Sequence, residues 1–66
     1  MKNKIKIERA IKNITQDDLA KLTKVSRQTI NAIELCKYIP STTLALKIAR
    51  IFEKPVEEIF FLEEFD

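Results

Sequence analysis

The 66-residue chain contains no histidine and no glycine, and it has one cysteine and two prolines. Without histidine, Cys36 has nothing with which to build a zinc site, and as the only thiol it forms no disulfide within the chain. The same gap leaves Cys36 and the serines without an obvious general base, and no glycine is present to shape a phosphate loop. No apolar run approaches the roughly 20 residues that span a bilayer, and Met1-Lys2-Asn3-Lys4 is not followed by the apolar core of a signal peptide. These absences predict a chain that is not an enzyme, carries no metal or cofactor, does not enter a membrane and resides in the cytoplasm.

What is present suits one small domain covering residues 1–66. A chain of this length buries only about 60% of the surface its unfolded form exposes. Its 45% apolar content is nonetheless ordinary for a globular domain. There is no room for a separate sensing domain, so no small-molecule effector is implied. Charge is unevenly placed: residues 1–50 hold eleven basic and four acidic side chains, whereas residues 51–66 hold Lys54 against six carboxylates. The basic part is suited to phosphate and the acidic end is not, although charge by itself fits an ordinary solvated surface equally well.

Apolar spacing predicts an all-α chain of five helices. Ile7, Ala10, Ile11 and Ile14 follow i, i+3, i+4, i+7, which predicts a helix over about Ile5–Asn13 with that stripe turned inward. Thr15 reads as an N-cap with Asp18 completing a capping box, opening a helix over Gln16–Thr23. Ser26 repeats the device for a helix from Arg27 to about Leu35. Only a very short turn at Lys24 and Val25, followed by the cap Ser26, separates the two, so these helices must cross steeply, forming a helix-turn-helix over about residues 16–34. Leu19, Ala20, Leu22, Val25, Ile30 and Ile33 are expected to hold it together. Tyr38-Ile39-Pro40 should be extended, since proline pushes the preceding residue out of the helical region. Ser41 caps a fourth helix ending near Glu53, and Pro55 starts a short fifth with Ile59 and Phe60 inward.

The arc of the third helix opposite Ile30 and Ile33 carries Arg27, Gln28, Asn31, Ala32 and Leu35. Arginine can donate two bonds to guanine O6 and N7, and glutamine or asparagine can bond N6 and N7 of adenine. A polar arc is most simply a wet face. Two capped helices, a very short turn and an Arg-Gln pair opening the second helix together favour the reading of duplex DNA.

Ile14-Thr15-Gln16-Asp17-Asp18-Leu19-Ala20, Val25 to Glu34, and Lys37-Tyr38-Ile39-Pro40-Ser41 with Leu44 to Ala49 make the chain resemble the Cro/CI-type helix-turn-helix family of phage and bacterial repressors. Within that family it is similar to the small cytolysin-operon repressor type. The resemblance implies a homodimer with a short terminal two-stranded β-ribbon added to five helices, binding double-stranded DNA. It implies base reading by Arg27 and Gln28, more weakly by Asn31 and Thr29. It places Gln16, Lys37, Tyr38, Ser41 and Thr42 on phosphate, and Arg9 with Glu34 in an ion pair tying the first helix to the third. Many relatives have glycine where Lys24 stands and Asn-Gly where Leu35-Cys36 stands, sites that commonly need a left-handed backbone. Glu8 occupies a usually apolar position.

A lone module buries little DNA surface, so a two-fold dimer on a palindromic site is expected, acting as a repressor by occupying promoter DNA. Val56, Ile59, Phe60, Phe61 and Leu62, with Phe65, either form its interface or close the core. If both termini form a ribbon, the acidic tail is expected to neutralise the segment from Lys2 to Lys6. The alternative is an antitoxin or adaptor that binds a protein partner through this C-terminal apolar surface.

Overall fold

A computed structural model describes residues 1–66. In chain order it contains β1 (Lys2–Asn3), α1 (Ile5–Lys12), α2 (Gln16–Thr23), α3 (Arg27–Glu34), α4 (Thr42–Phe52), α5 (Val56–Ile59) and β2 (Phe60–Phe61). The strands pair antiparallel, Lys2 opposite Phe61 and Asn3 opposite Phe60, so a two-residue ribbon joins the termini of an otherwise helical chain. No helix is long and apolar enough to cross a membrane.

Hydroxyl caps set the starts of α2, α3 and α4. Thr15 Oγ1 accepts from the Asp18 amide at 3.0 Å while the Asp18 carboxylate accepts from the Thr15 amide at 3.0 Å, a complete capping box. That Thr15 amide holds the Asp18 carboxyl below its ordinary value. Ser26 accepts from the Thr29 amide and Ser41 from the Leu44 amide, each at 3.1 Å. The helix ends share a second device, used without any glycine. Asn13, Lys24, Cys36 and Glu53 all take left-handed backbones, with φ between 57° and 61°. In each case the next amide reaches back to a carbonyl five residues earlier, as Val25 does to Ala20 at 3.0 Å and Lys37 to Ala32 at 2.9 Å. Of the Leu35-Cys36 pair, only Cys36 is left-handed; Leu35 stays at φ −82°.

The core consists of Ile5, Leu19, Ala20, Ile30, Ile33, Leu44, Ile48, Ala49, Phe52, Ile59 and Phe60. Two expectations about it are overturned. The α1 stripe does not face inward: Ile7 is 57% exposed and Ile11 69%, with Ala10 exposed and Ile14 half-buried. The inward face of α1 is buried Ile5 and Glu8 with half-buried Arg9, which satisfies helical spacing equally well. It wins because its ionic members find partners: Lys54 Nζ lies 2.7 Å from Glu8 Oε2 and Arg9 Nε 2.8 Å from Glu34 Oε2. Leu22, expected inside the motif, is 60% exposed, because α2 turns Leu19, Ala20 and Thr23 inward. Thr23 is buried without cost, its hydroxyl donating to the Leu19 carbonyl at 2.8 Å.

The ribbon is closed by the chain terminus itself. The Met1 ammonium lies 3.3 Å from both Glu63 and Asp66 carboxylate oxygens, and Lys4 Nζ sits 5.2 Å over the Phe61 ring. Among the basic groups of the N-terminal segment it is therefore the α-ammonium, rather than a side chain from Lys2 to Lys6, that meets the acidic tail. Desolvation pushes this ammonium down, but hydrogen bonds and charge from Asp66 and Glu63 outweigh it and hold it above its ordinary 8.0. Asp66 is held below 3.8, first by the Glu63 amide and then by the ammonium. The contact is thus fully present between these ordinary values. It is lost as pH rises through the ammonium's raised value above 8.0, and again as pH falls through the lowered Asp66 value below 3.8. Chemical shifts of the Asp66 carboxyl and the Phe61 ring should report both transitions; a ribbon indifferent to pH on both sides would contradict this closure.

Candidate nucleic-acid interface

Two helix starts meet at the interface. The caps at Thr15 and Ser26 aim the first turns of α2 and α3 toward the same side, and the short left-handed turn at Lys24 holds them close. Gln16 from α2 and Arg27, Gln28 and Asn31 from α3 line one open polar cleft of about 220 Å³, with no apolar residue in its wall. Gln16 Nε2 donates to Asn31 Oδ1 at 3.1 Å, which leaves the Asn31 side-chain amide hydrogens and the Gln16 side-chain carbonyl free to bond elsewhere. Arg27, Gln28 and Asn31 are exposed and Gln16 is half-buried. Thr29 stands apart: it is half-buried and its hydroxyl lies 2.9 Å from Ser26 Oγ, engaged with its own cap.

The phosphate candidates form a second group beyond the end of α3. Lys37 and Tyr38 are exposed on the loop, and Ser41 and Thr42 are exposed at the start of α4. Ser41 Oγ accepts the Leu44 amide, so its own proton remains available. The amides of Thr42 and Thr43 belong to the first helical turn, which has no intrahelical acceptor for them, and point outward at the positive end of the α4 dipole.

Charge around these groups is one-sided. Arg27, Lys24 and Lys37 have no carboxylate within ion-pair distance, whereas the nearby acids are occupied: Asp17 by Lys21 at 3.1 Å, Asp18 by the Thr15 cap and Glu34 by Arg9. Hydrogen bonding to Asp17 holds the Lys21 ammonium above its ordinary value. Free cations therefore face outward with little opposing charge, the condition for attracting a polyanion.

The back of α3 is held by two clamps. Arg9 donates to both Glu34 carboxylate oxygens, at 2.8 and 3.1 Å, and to the Ile14 carbonyl at 3.1 Å. Glu34 is thus engaged by α1 and does not line the cleft. The second clamp has no signal in the sequence. Asn3 Nδ2 donates to the Ile33 carbonyl at 2.8 Å while Asn3 Oδ1 accepts from the Ile5 amide at 3.2 Å, joining the ribbon to the last turn of α3 across 30 residues. Replacing Asn3 with alanine is expected to lower stability by about 1–2 kcal/mol and to speed hydrogen exchange at the Cys36 and Lys37 amides. Unchanged exchange there would mean that Asn3 does not hold this end of the helix.

The apolar C-terminal residues divide by burial. Ile59 is fully buried and Phe60 8% exposed, so both close the chain's own core and only a rim of Phe60 can meet another molecule. Val56 and Phe61 are half-buried, and Leu62 and Phe65 are 81% and 93% exposed. Beside them lies an apolar groove of about 320 Å³ lined by Pro40, Ala45, Leu46, Val56 and Phe60 together with Met1, Thr42 and Glu57.

A helix-turn-helix family model matches residues 5–59. An uncharacterized HTH-type transcriptional regulator of Methanocaldococcus jannaschii is 58% identical over 64 residues, covering 97% of each chain. One of Bacillus subtilis is 47% identical over 64 residues, again covering 97% of each. One of Archaeoglobus fulgidus is 48% identical over 64 residues, covering 97% of this chain and 90% of that protein.

Proposed function

Because this chain belongs to the Cro/CI-type helix-turn-helix family of DNA-binding transcriptional regulators, we propose that it is a repressor of the small cytolysin-operon repressor type, binding a palindromic operator as a homodimer. The observation that carries this reading is the convergence of Gln16, Arg27, Gln28 and Asn31 on one exposed polar cleft with no free acid beside it. Arg27 and Gln28 read base edges in the major groove, and Asn31 reads from a position braced by Gln16, which also reaches phosphate. Thr29 contributes less, since its hydroxyl is already engaged. Lys37, Tyr38, Ser41 and Thr42 bind the backbone and set the register.

Repression would follow from occupancy, since a protein bound across promoter DNA covers it. Dimerisation places two reading helices about 34 Å apart in successive major grooves. A second copy would cover the apolar groove beside Val56 and the exposed Leu62, whose shielding from water favours association.

Selection of bound duplexes from a random pool tests the operator. An inverted repeat with half-site centres one helical turn apart supports the reading; a single asymmetric site or no enrichment overturns it. Sedimentation tests the assembly. The protein is expected to run as two chains and Val56→Asp as one; a single-chain mass for the unaltered protein would exclude the homodimer.

A further inference from the structure

Leu35 is the one large apolar side chain on the outward arc of α3, and base reading by Arg27, Gln28 and Asn31 leaves it without a role. It is 55% exposed at the end of the helix. We propose that Leu35 is a specificity-determining residue that packs against the C5-methyl group of a thymine in the major groove, an inference that rests on the DNA reading proposed above.

The direction of the side chain follows from the backbone. The Leu35 amide still bonds to the Asn31 carbonyl at 3.0 Å, and φ −82° with ψ 2° keeps the residue close to the helical winding. The left-handed turn away from the helix begins only at Cys36. Gln28 and Leu35 are seven residues apart, which is within about 20° of two full turns. Leu35 therefore stands in line with Gln28, on the side of α3 opposite buried Ile30 and Ile33. A side chain that shares this line with a base reader faces the same groove.

Its reach follows from the proposed phosphate contacts at both ends of α3. Gln16 is bonded to Asn31 beside the first turns, and Lys37 and Tyr38 come directly after Cys36. The Lys37 amide bonds to the Ala32 carbonyl at 2.9 Å, which fixes the exit of the chain beside Leu35. With the DNA backbone held at both ends, the helix lies along the groove instead of entering by its tip alone. Leu35 is about 10 Å along the axis from Gln28, or about three base-pair steps.

Chemistry then selects the base. Leucine neither donates nor accepts a hydrogen bond, so placed against the polar edge of adenine, guanine or cytosine it would displace water and leave an N or O atom unpaired. The thymine methyl is the one apolar group that base edges present in the major groove.

The test uses the full chain and the operator selected from the random pool. Each thymine of the half-site is replaced in turn by deoxyuracil, which pairs identically and lacks the methyl group. One replacement, about three base pairs from the position whose preference Gln28→Ala relaxes, is expected to weaken binding about three- to fivefold in each half-site, the effect of burying one methyl-sized group. Leu35→Ala should lose a similar factor on the thymine operator and bind the thymine and uracil forms equally. Leu35→Met, which keeps an apolar side chain of similar reach, should still prefer thymine. Both variants should melt near the unaltered protein, because residue 35 already faces water. Uracil tolerated at every position, a half-site without thymine, or a thymine preference that survives in Leu35→Ala overturns the proposal. Failure of the underlying reading has a different signature. Absence of any selected operator overturns the reading and this contact together, whereas an operator weakened by Arg27→Ala but indifferent to uracil overturns the contact alone.

Discussion

Replacing Arg9 with alanine is expected to destabilise the protein by about 3–5 kcal/mol, the loss found when one member of a buried ion pair is removed. The side chains of the pair are 16% and 7% exposed, so solvent screens them little. Arg9 makes three hydrogen bonds, two to Glu34 and one to the Ile14 carbonyl. Its removal strands the Glu34 carboxylate on the last turn of α3 and takes a donor from the chain entering α2. A domain of this size has little stability in reserve; about 5–15 kcal/mol is typical of folded domains. The variant should therefore unfold at a much lower urea concentration. The double variant Arg9→Met with Glu34→Leu should recover most of the loss, since it leaves no unpaired buried charge. An Arg9→Ala midpoint equal to that of the unaltered protein would mean the pair behaves as an exposed one, and an unrecovered double variant would point to packing rather than charge.

On the proposed mode of DNA reading, Arg27→Ala should reduce affinity for the selected operator by about 1–3 kcal/mol, roughly 5- to 150-fold. It should also relax base preference at one position of each half-site. The residue is exposed, has no carboxylate partner and stands in the first turn of α3, so its loss should leave the melting temperature nearly unchanged. Lys37→Ala should act differently. A phosphate contact carries no base information, so binding should weaken similarly for all sequences and the salt slope should fall by about 1. Mobility shifts across a salt series, on selected and scrambled duplexes, separate the two behaviours. Operator preference undiminished by Arg27→Ala would remove that residue from base reading. A changed preference in Lys37→Ala would mean the loop reads bases as well.

Both predictions depend on where α3 sits, and the sequence and the structure contribute unequally to that. The starts of α2 and α3 were legible because caps are local: Thr15 with Asp18, and Ser26, bond to amides three residues away. The exposed polar arc of α3 was legible for the same reason, since Ile30 and Ile33 identify the buried side of one helix and leave Arg27, Gln28 and Asn31 on the other. α1 was misread because periodicity identifies faces without saying which one finds partners. Its two faces share the same spacing, and Glu8 and Arg9 can turn inward only when Lys54 and Glu34 arrive from 46 and 25 positions away.

Chain-local chemistry thus determined which segments are helices, where the helix-turn-helix begins and which side chains of α3 face away from the core. Tertiary packing decided the orientation of α1, the exposure of Leu22 and the burial of Ile59 and Phe60. It also placed the Asn3 bond to Ile33 and the pairing of Gln16 with Asn31. The division has a physical cause. Capping and helical spacing act within one or two turns, whereas burying a charge or closing a core requires a partner whose approach only the folded chain brings about.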